Sequence, residues 1–231
     1  MSEEHTSVIV AGGSGLVGSE LIKQLLDVPS IKNVYALARR PLVFQSQKLK
    51  SLVSPKLQIT DWQENTPPPS LGFICLGTTL KQAGSKQGLE KVDYDLVCQV
   101  AREMKVIGVK RLAVVSSLGA SSRSMSHYLR CKGKMELALR EMGFEQLTIA
   151  RPGPLVGLRD SPRSSEWLTL FTLNVLKPLL IGPLQKIRPI RASHVAKSML
   201  YSVYQPSSKR VTLLTTPEMK HMLSQYQHTN D

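Results

Sequence analysis

Between Ser7 and Ala150 the chain alternates short, unbroken apolar runs with longer stretches whose apolar positions recur every three or four residues. Unbroken runs suit strands buried on both faces of a sheet, and the three-to-four spacing marks one face of a helix. Ser7-Val8-Ile9-Val10-Ala11 is the first such run, and the pattern predicts a helix directly after it over residues 16–26. Further strands are predicted over residues 33–38, 57–60, 72–76, 111–116 and 147–150. Leu89, Val92, Leu96, Val100 and Met104 trace an amphipathic helix. Residues 126–142 read as another, with Gly143 placed to end it in a left-handed turn. Past Arg151, prolines 152, 154, 162, 178, 183 and 189 break the pattern. They leave helices predicted over residues 167–176 and 192–204, a strand over 211–214 and a weakly structured tail from Met219.

Strand–helix–strand order implies an α/β fold: a doubly wound, mostly parallel sheet with helices on both faces. A length of 231 residues suits one domain over 1–231, in which residues 151–209 supply most of the substrate-side lobe.

The first strand runs straight into Gly12-Gly13-Ser14-Gly15-Leu16-Val17-Gly18, where a helix begins. Two registers fit: Gly13, Gly15 and Gly18 match G-x-G-x-x-G, and Gly12, Gly15 and Gly18 match G-x-x-G-x-x-G. Either gives a tight turn, close backbone approach to a pyrophosphate and free N–H groups at a helix start. This turn implies a bound dinucleotide. An NAD-dependent site would place an acidic residue about 20 residues further on, against the ribose 2′-hydroxyl. Ala38 stands there instead, followed by Arg39 and Arg40. Two guanidinium groups suit the 2′-phosphate of NADP(H). Asp61 is placed either to meet the adenine edge or to serve as a turn residue.

Tyr128-Leu129-Arg130-Cys131-Lys132 is a Y-x-x-x-K motif at the start of a predicted helix, with both side chains on one face. An ammonium one turn from a phenol eases its deprotonation and can also hold ribose hydroxyls. The tyrosine can then exchange a proton with a carbonyl or alcohol oxygen while hydride moves. Ser116 and Ser117 close the predicted strand upstream. Ser117 would hydrogen-bond the substrate oxygen, with Ser116 as neighbour or substitute.

Charge widens the range of partners before the motifs narrow it. The net charge is +13, yet Lys and Arg are dispersed and no nucleic-acid motif accompanies them, so no specific nucleic-acid partner is expected. A phosphate-bearing cofactor and a generally basic surface account for the excess, and Arg188 and Arg191 make an anionic substrate one option. The mean hydropathy is -0.10, and the chain has no membrane-length apolar run. Three cysteines without metal spacing, and five histidines without ligand spacing, predict a reduced, cytoplasmic protein with no metal.

Taken in order, the glycine turn, Ala38-Arg39-Arg40-Pro41-Leu42, Ser116-Ser117-Leu118-Gly119-Ala120, Tyr128-Leu129-Arg130-Cys131-Lys132-Gly133 and Arg151-Pro152-Gly153 resemble the short-chain dehydrogenase/reductase superfamily. The likeness lies in its extended or atypical branch, closer to the Tat-interactive protein oxidoreductases, and spans residues 7–214. It implies a Rossmann-like fold, bound NADPH, and Tyr128 as proton donor or acceptor assisted by Lys132. It also places Leu76, Gly77, Thr78, Arg151 and Pro152 among the cofactor contacts. No asparagine in residues 89–105 matches the fourth catalytic member of the best-known dehydrogenases. The leading expectation is an NADP(H)-dependent oxidoreductase of a small carbonyl or alcohol. The alternatives are a non-catalytic NADPH sensor with a regulatory partner or as a homodimer, and a nucleotide-sugar epimerase or dehydratase.

Overall fold

The computed structural model describes residues 6–60, 62, 66–156, 187–205 and 207–227. The predicted helix over 167–176, like Asp61, lies outside them. A seven-stranded sheet runs in the order β3-β2-β1-β4-β5-β6-β9, and every pairing in it is parallel. Its strands are β1 (Thr6–Ala11), β2 (Ile31–Ala38), β3 (Leu49–Val53), β4 (Leu71–Ile74), β5 (Arg111–Val115), β6 (Gln146–Arg151) and β9 (Val211–Thr215). The chain leaves β1 towards β2 and β3, then crosses back to β4 on the other side. That reversal opens a crevice at the carboxyl ends of β1 and β4.

Successive side chains of a strand point to opposite faces, and the core divides accordingly. Val8, Val10, Val34, Ala36 and Phe73 pack on one face against α1 (Leu16–Asp27) and α6 (Ala192–Tyr204). Ile9, Ala11, Tyr35, Leu37 and Ile74 pack on the other against α4 (Val97–Val106) and α5 (His127–Glu141). Both faces are covered, which is why the central strands read as continuous apolar runs. α5 ends at Met142 with Gly143 at φ +70°, the predicted left-handed stop. Among the described residues no helix is long and apolar enough to cross a membrane.

Two predictions need correction and a third needs refinement. The third strand is Leu49–Val53, not residues 57–60. As the edge strand it pairs only with β2, and it keeps Lys50 and Ser51 exposed, so its apolar signal is thin. Leu57 instead turns through φ +54° and plugs the core, and the Ile59 N–H donates to Glu103 at 2.8 Å. The helix predicted from Leu89 to Met104 is present as α3 (Lys86–Glu90) running on into α4, with a π-helical turn, Lys91–Leu96, between them that periodicity did not show, and the short α2 (Leu80–Ala83) precedes it. The tail is not weakly structured as far as it is described, because α7 spans Thr216–Gln227. Fully buried Met219 and a Tyr201–Tyr226 ring contact at 4.0 Å hold it to α6, contacts that local periodicity does not register.

A separate two-stranded parallel pair, β7 (Leu155–Val156) with β8 (Ile190–Arg191), closes the chain on itself beyond β6.

Candidate active site

Because every sheet pairing is parallel, the candidate residues after β1, β2, β4, β5 and β6 emerge along one edge. At β1 the backbone shapes that edge. Gly12 has φ +87°, and the Gly15 N–H donates to its carbonyl at 3.0 Å. A Cβ on Gly12 would lie 2.7 Å from the Cys75 carbonyl carbon, and one on Gly18 would lie 2.1 Å from the Gly12 oxygen. The close approaches to backbone therefore fall on Gly12 and Gly18, whereas a Cβ on Gly13 would meet only side-chain ends, which favours the Gly12/Gly15/Gly18 register. Gly13 is buried against the Ile22 and Leu42 side chains, and Ser14 is exposed. Val17 is buried in the first turn of α1, and Leu16 half-buried. Gly15, the residue capping α1, offers no side-chain hydrogen bond to that turn. The N–H groups there remain available to an anion.

Arg39 and Arg40 follow β2, both exposed and without an ion pair to any described residue. Both are therefore available to a phosphate at this edge.

At β4, β5 and β6 side chains take over. Lys132, one turn beyond Tyr128 on α5, is 2% exposed, and its Nζ lies 2.8 Å from Asp93 Oδ1. Nζ also donates to the Val115 carbonyl at 3.4 Å. Asp93 is fully buried, and its Oδ2 accepts the Thr78 N–H at 3.0 Å. A Cβ on Gly77 would stand 3.4 Å from Asp93 Oδ1 and 3.6 Å from Lys132 Nζ, so Leu76-Gly77-Thr78 lies close over the ion pair. Burial pushes the Cys75 thiol up to about 12, with the Lys132 charge acting against it. Tyr128 is half-buried, and its hydroxyl has no partner among the described residues.

The two serines part company. Ser116 is buried, its N–H donates to Ala150 at 2.7 Å and its Oγ donates to Glu136. Ser117 stays half-buried, with its Oγ 3.4 Å from the Leu118 carbonyl. Of the two hydroxyls, that of Ser117 is the more exposed and the more weakly held. The Glu136 carboxylate is also taken by Arg151, through Nε at 2.9 Å and through Nη2. This hydrogen-bonded pairing holds the Arg151 guanidinium above its ordinary value. Arg151 thus braces α5 against β6. Pro152 is buried, and its carbonyl accepts the Leu118 N–H at 3.1 Å, tying the loops after β5 and β6 together.

Sequence reasoning missed Asp93. A signal was present: the residue falls four after Leu89 and four before Val97, so a carboxylate sits on the apolar stripe itself. Spacing also missed a cluster that only the fold assembles. Ligand atoms of Glu90, His127 and Cys131 all lie within 4.8 Å of one another. His127 there meets the Lys86 carbonyl at 3.1 Å and Arg130 Nη2 at 3.3 Å. Its ring is thus tied to α3 and α5. Burial and Glu90 push the Cys131 thiol up.

The HIM1 family model matches residues 71–181. The rat protein HTATIP2 is 29% identical over 222 residues, covering 95% of this chain and 90% of its own length. The mitochondrial protein fmp52 of Emericella nidulans is 32% identical over 178 residues, 74% of this chain and 76% of its own. The chain belongs to the HTATIP2/FMP52 family. This agrees with the resemblance carried by the sequence motifs. Among solved structures, the UDP-glucose 4-epimerase of Thermotoga maritima with UDP-glucose superposes with a TM-score of 0.68 at 15% identity, covering 91% of this chain and 77% of that one. MoeE5 in complex with UDP-glucose and NAD gives 0.62 at 16%, covering 95% and 81%. At such identities the shared property is the Rossmann-like fold, here in an HTATIP2/FMP52 family member.

Proposed function

We propose that this protein is an NADP(H)-dependent oxidoreductase of a small carbonyl or alcohol. What supports this reading is that Lys132, one helical turn beyond Tyr128, reaches the Val115 carbonyl at the end of β5, two residues before Ser117, at the end of the sheet where the Gly12–Gly18 turn follows β1. The residues present fit a dinucleotide: an uncapped helix start, Gly15 where an added Cβ would meet no atom closer than 3.3 Å, and two arginines after β2 without an ion pair among the described residues. Arg39 and Arg40 favour a 2′-phosphate over a 2′-hydroxyl. The MoeE5 structure, described as an NAD complex, supports a dinucleotide on this fold.

In this reading the Gly12–Gly18 turn holds the pyrophosphate and Lys132 holds ribose hydroxyls. Nicotinamide, when bound, supplies or accepts the hydride. Ser117 orients the substrate oxygen, and Tyr128, whose hydroxyl is spent on no described protein group, gives or takes the proton. The buried Asp93–Lys132 pair fixes the ammonium one helical turn from that phenol.

A ligand that binds only the folded state raises its stability with concentration. NADPH should therefore raise the thermal midpoint more than NADH at equal concentration. A larger shift with NADH would overturn the cofactor assignment. Tyr128→Phe should abolish NADPH oxidation across a panel of carbonyl compounds while leaving the NADPH shift in place. Undiminished oxidation by that variant would overturn the chemistry. An NADPH shift in the native protein with no oxidation across the panel would favour the sensor reading instead.

A further inference from the structure

We infer that Asp93 is a positioning residue that fixes the buried Lys132 ammonium in place and ties it to the cofactor-facing loop after β4; the second part of its test rests on the dinucleotide reading above. Three observations meet on this carboxylate. It is fully buried, one oxygen is 2.8 Å from Lys132 Nζ, and the other accepts the Thr78 N–H at 3.0 Å. It projects from a π-helical turn, a rare backbone irregularity that appears most often at functional sites. Loop, lysine and carboxylate thus form one unit beneath Gly77.

Charge balance explains the need for it. An ammonium only 2% exposed has lost its water, and a buried charge is costly unless it is paired and hydrogen-bonded. The Val115 carbonyl at 3.4 Å offers a dipole but no charge. The other ionisable groups around Lys132 do not substitute. Cys75 is held as a thiol by burial, as is Cys131 on the neighbouring face of α5. Tyr128 and Glu136 lie one turn to either side on the same helix, and Glu136 is already engaged by Arg151 and Ser116. Among these groups Asp93 is therefore the counter-ion of Lys132. Without that counter-ion the ammonium would lose the placement from which its charge-assisted donors hold ribose hydroxyls.

The test has two parts. Without cofactor, Asp93→Asn should lower the thermal midpoint, and adding Lys132→Met should recover most of the loss. Replacing a buried pair with uncharged groups is often neutral, whereas stranding one charge is not. A double variant as unstable as Asp93→Asn alone, or less stable, would overturn the inference, because only the Thr78 contact would then matter. In the second part, NADPH affinity is compared among the native protein, Asp93→Asn, Lys132→Met and the double variant. Asp93→Asn should weaken binding about tenfold, and the double variant should bind no more weakly than Lys132→Met alone, because Asp93 acts through the lysine. Losses that add in the double variant would mark a purely structural role and overturn the inference. Native protein that fails to bind NADPH would remove the dinucleotide reading, while the thermal comparison would still decide the role of Asp93.

Discussion

Around β1 and α1 the edge of the sheet is shaped by backbone, whereas around β4, β5 and β6 it is shaped by buried side-chain pairs. In the first region the contacts are Gly12 against Cys75 and Gly18 against Gly12, and no charged group is buried. In the second, Asp93–Lys132 and Glu136–Arg151 bring charge out of water, with Asp93, Lys132 and Glu136 at most 2% exposed. The difference is one of tolerance. A glycine turn depends on the absence of one atom and is assembled from neighbours in sequence. A buried ion pair depends on two complete partners delivered by separate helices and strands, and removal of one strands the other.

The largest effect should come from breaking the side-chain region. Glu136→Ala leaves Arg151 and Ser116 without their acceptor and should destabilise the fold by about 3 kcal/mol, read from urea unfolding. A loss near zero would mean that the pairing is ornamental and the comparison false. Gly18→Ala attacks the backbone region by placing a methyl group on the Gly12 carbonyl. It should cost about 2 kcal/mol in the same assay and remove the thermal shift given by NADPH. A smaller effect sharpens the contrast without touching the fold. Arg39→Ala with Arg40→Ala should weaken NADPH binding about tenfold and leave NADH binding unchanged, measured by fluorescence titration. The smallest stability effect belongs to Tyr128→Phe. Its hydroxyl has no partner among the described residues, so unfolding should move by no more than about 0.5 kcal/mol.

The same contrast explains what could be read from the sequence. The backbone region was legible because glycine spacing after a strand is a local constraint. Only the choice between two registers waited for the position of Cys75 beside Gly12. The α6 helix, Ala192–Tyr204, and the strand–helix order were legible because periodicity reports burial directly. The role of Asp93 was not, since its partner lies 39 positions away: its place on the apolar stripe signals burial but not the lysine it meets. The roles of Ser116 and Ser117 were left open for a related reason: which hydroxyl is spent depends on Glu136 arriving from α5. β3 was misplaced because an edge strand needs little apolar surface, while Leu57 and Ile59 have apolar character without strand pairing.

The pairing of Leu155–Val156 with Ile190–Arg191 has a further consequence for how the chain is connected. With the Ile190 N–H donating to Pro154, the two ends of the intervening segment are pinned side by side. A register held by Leu155 against Ile190 and Val156 against Arg191 therefore fixes where the chain leaves β6 and where it enters α6, and closure entropy grows by only about 0.6 kcal/mol for each doubling of a flexible connection between two such points.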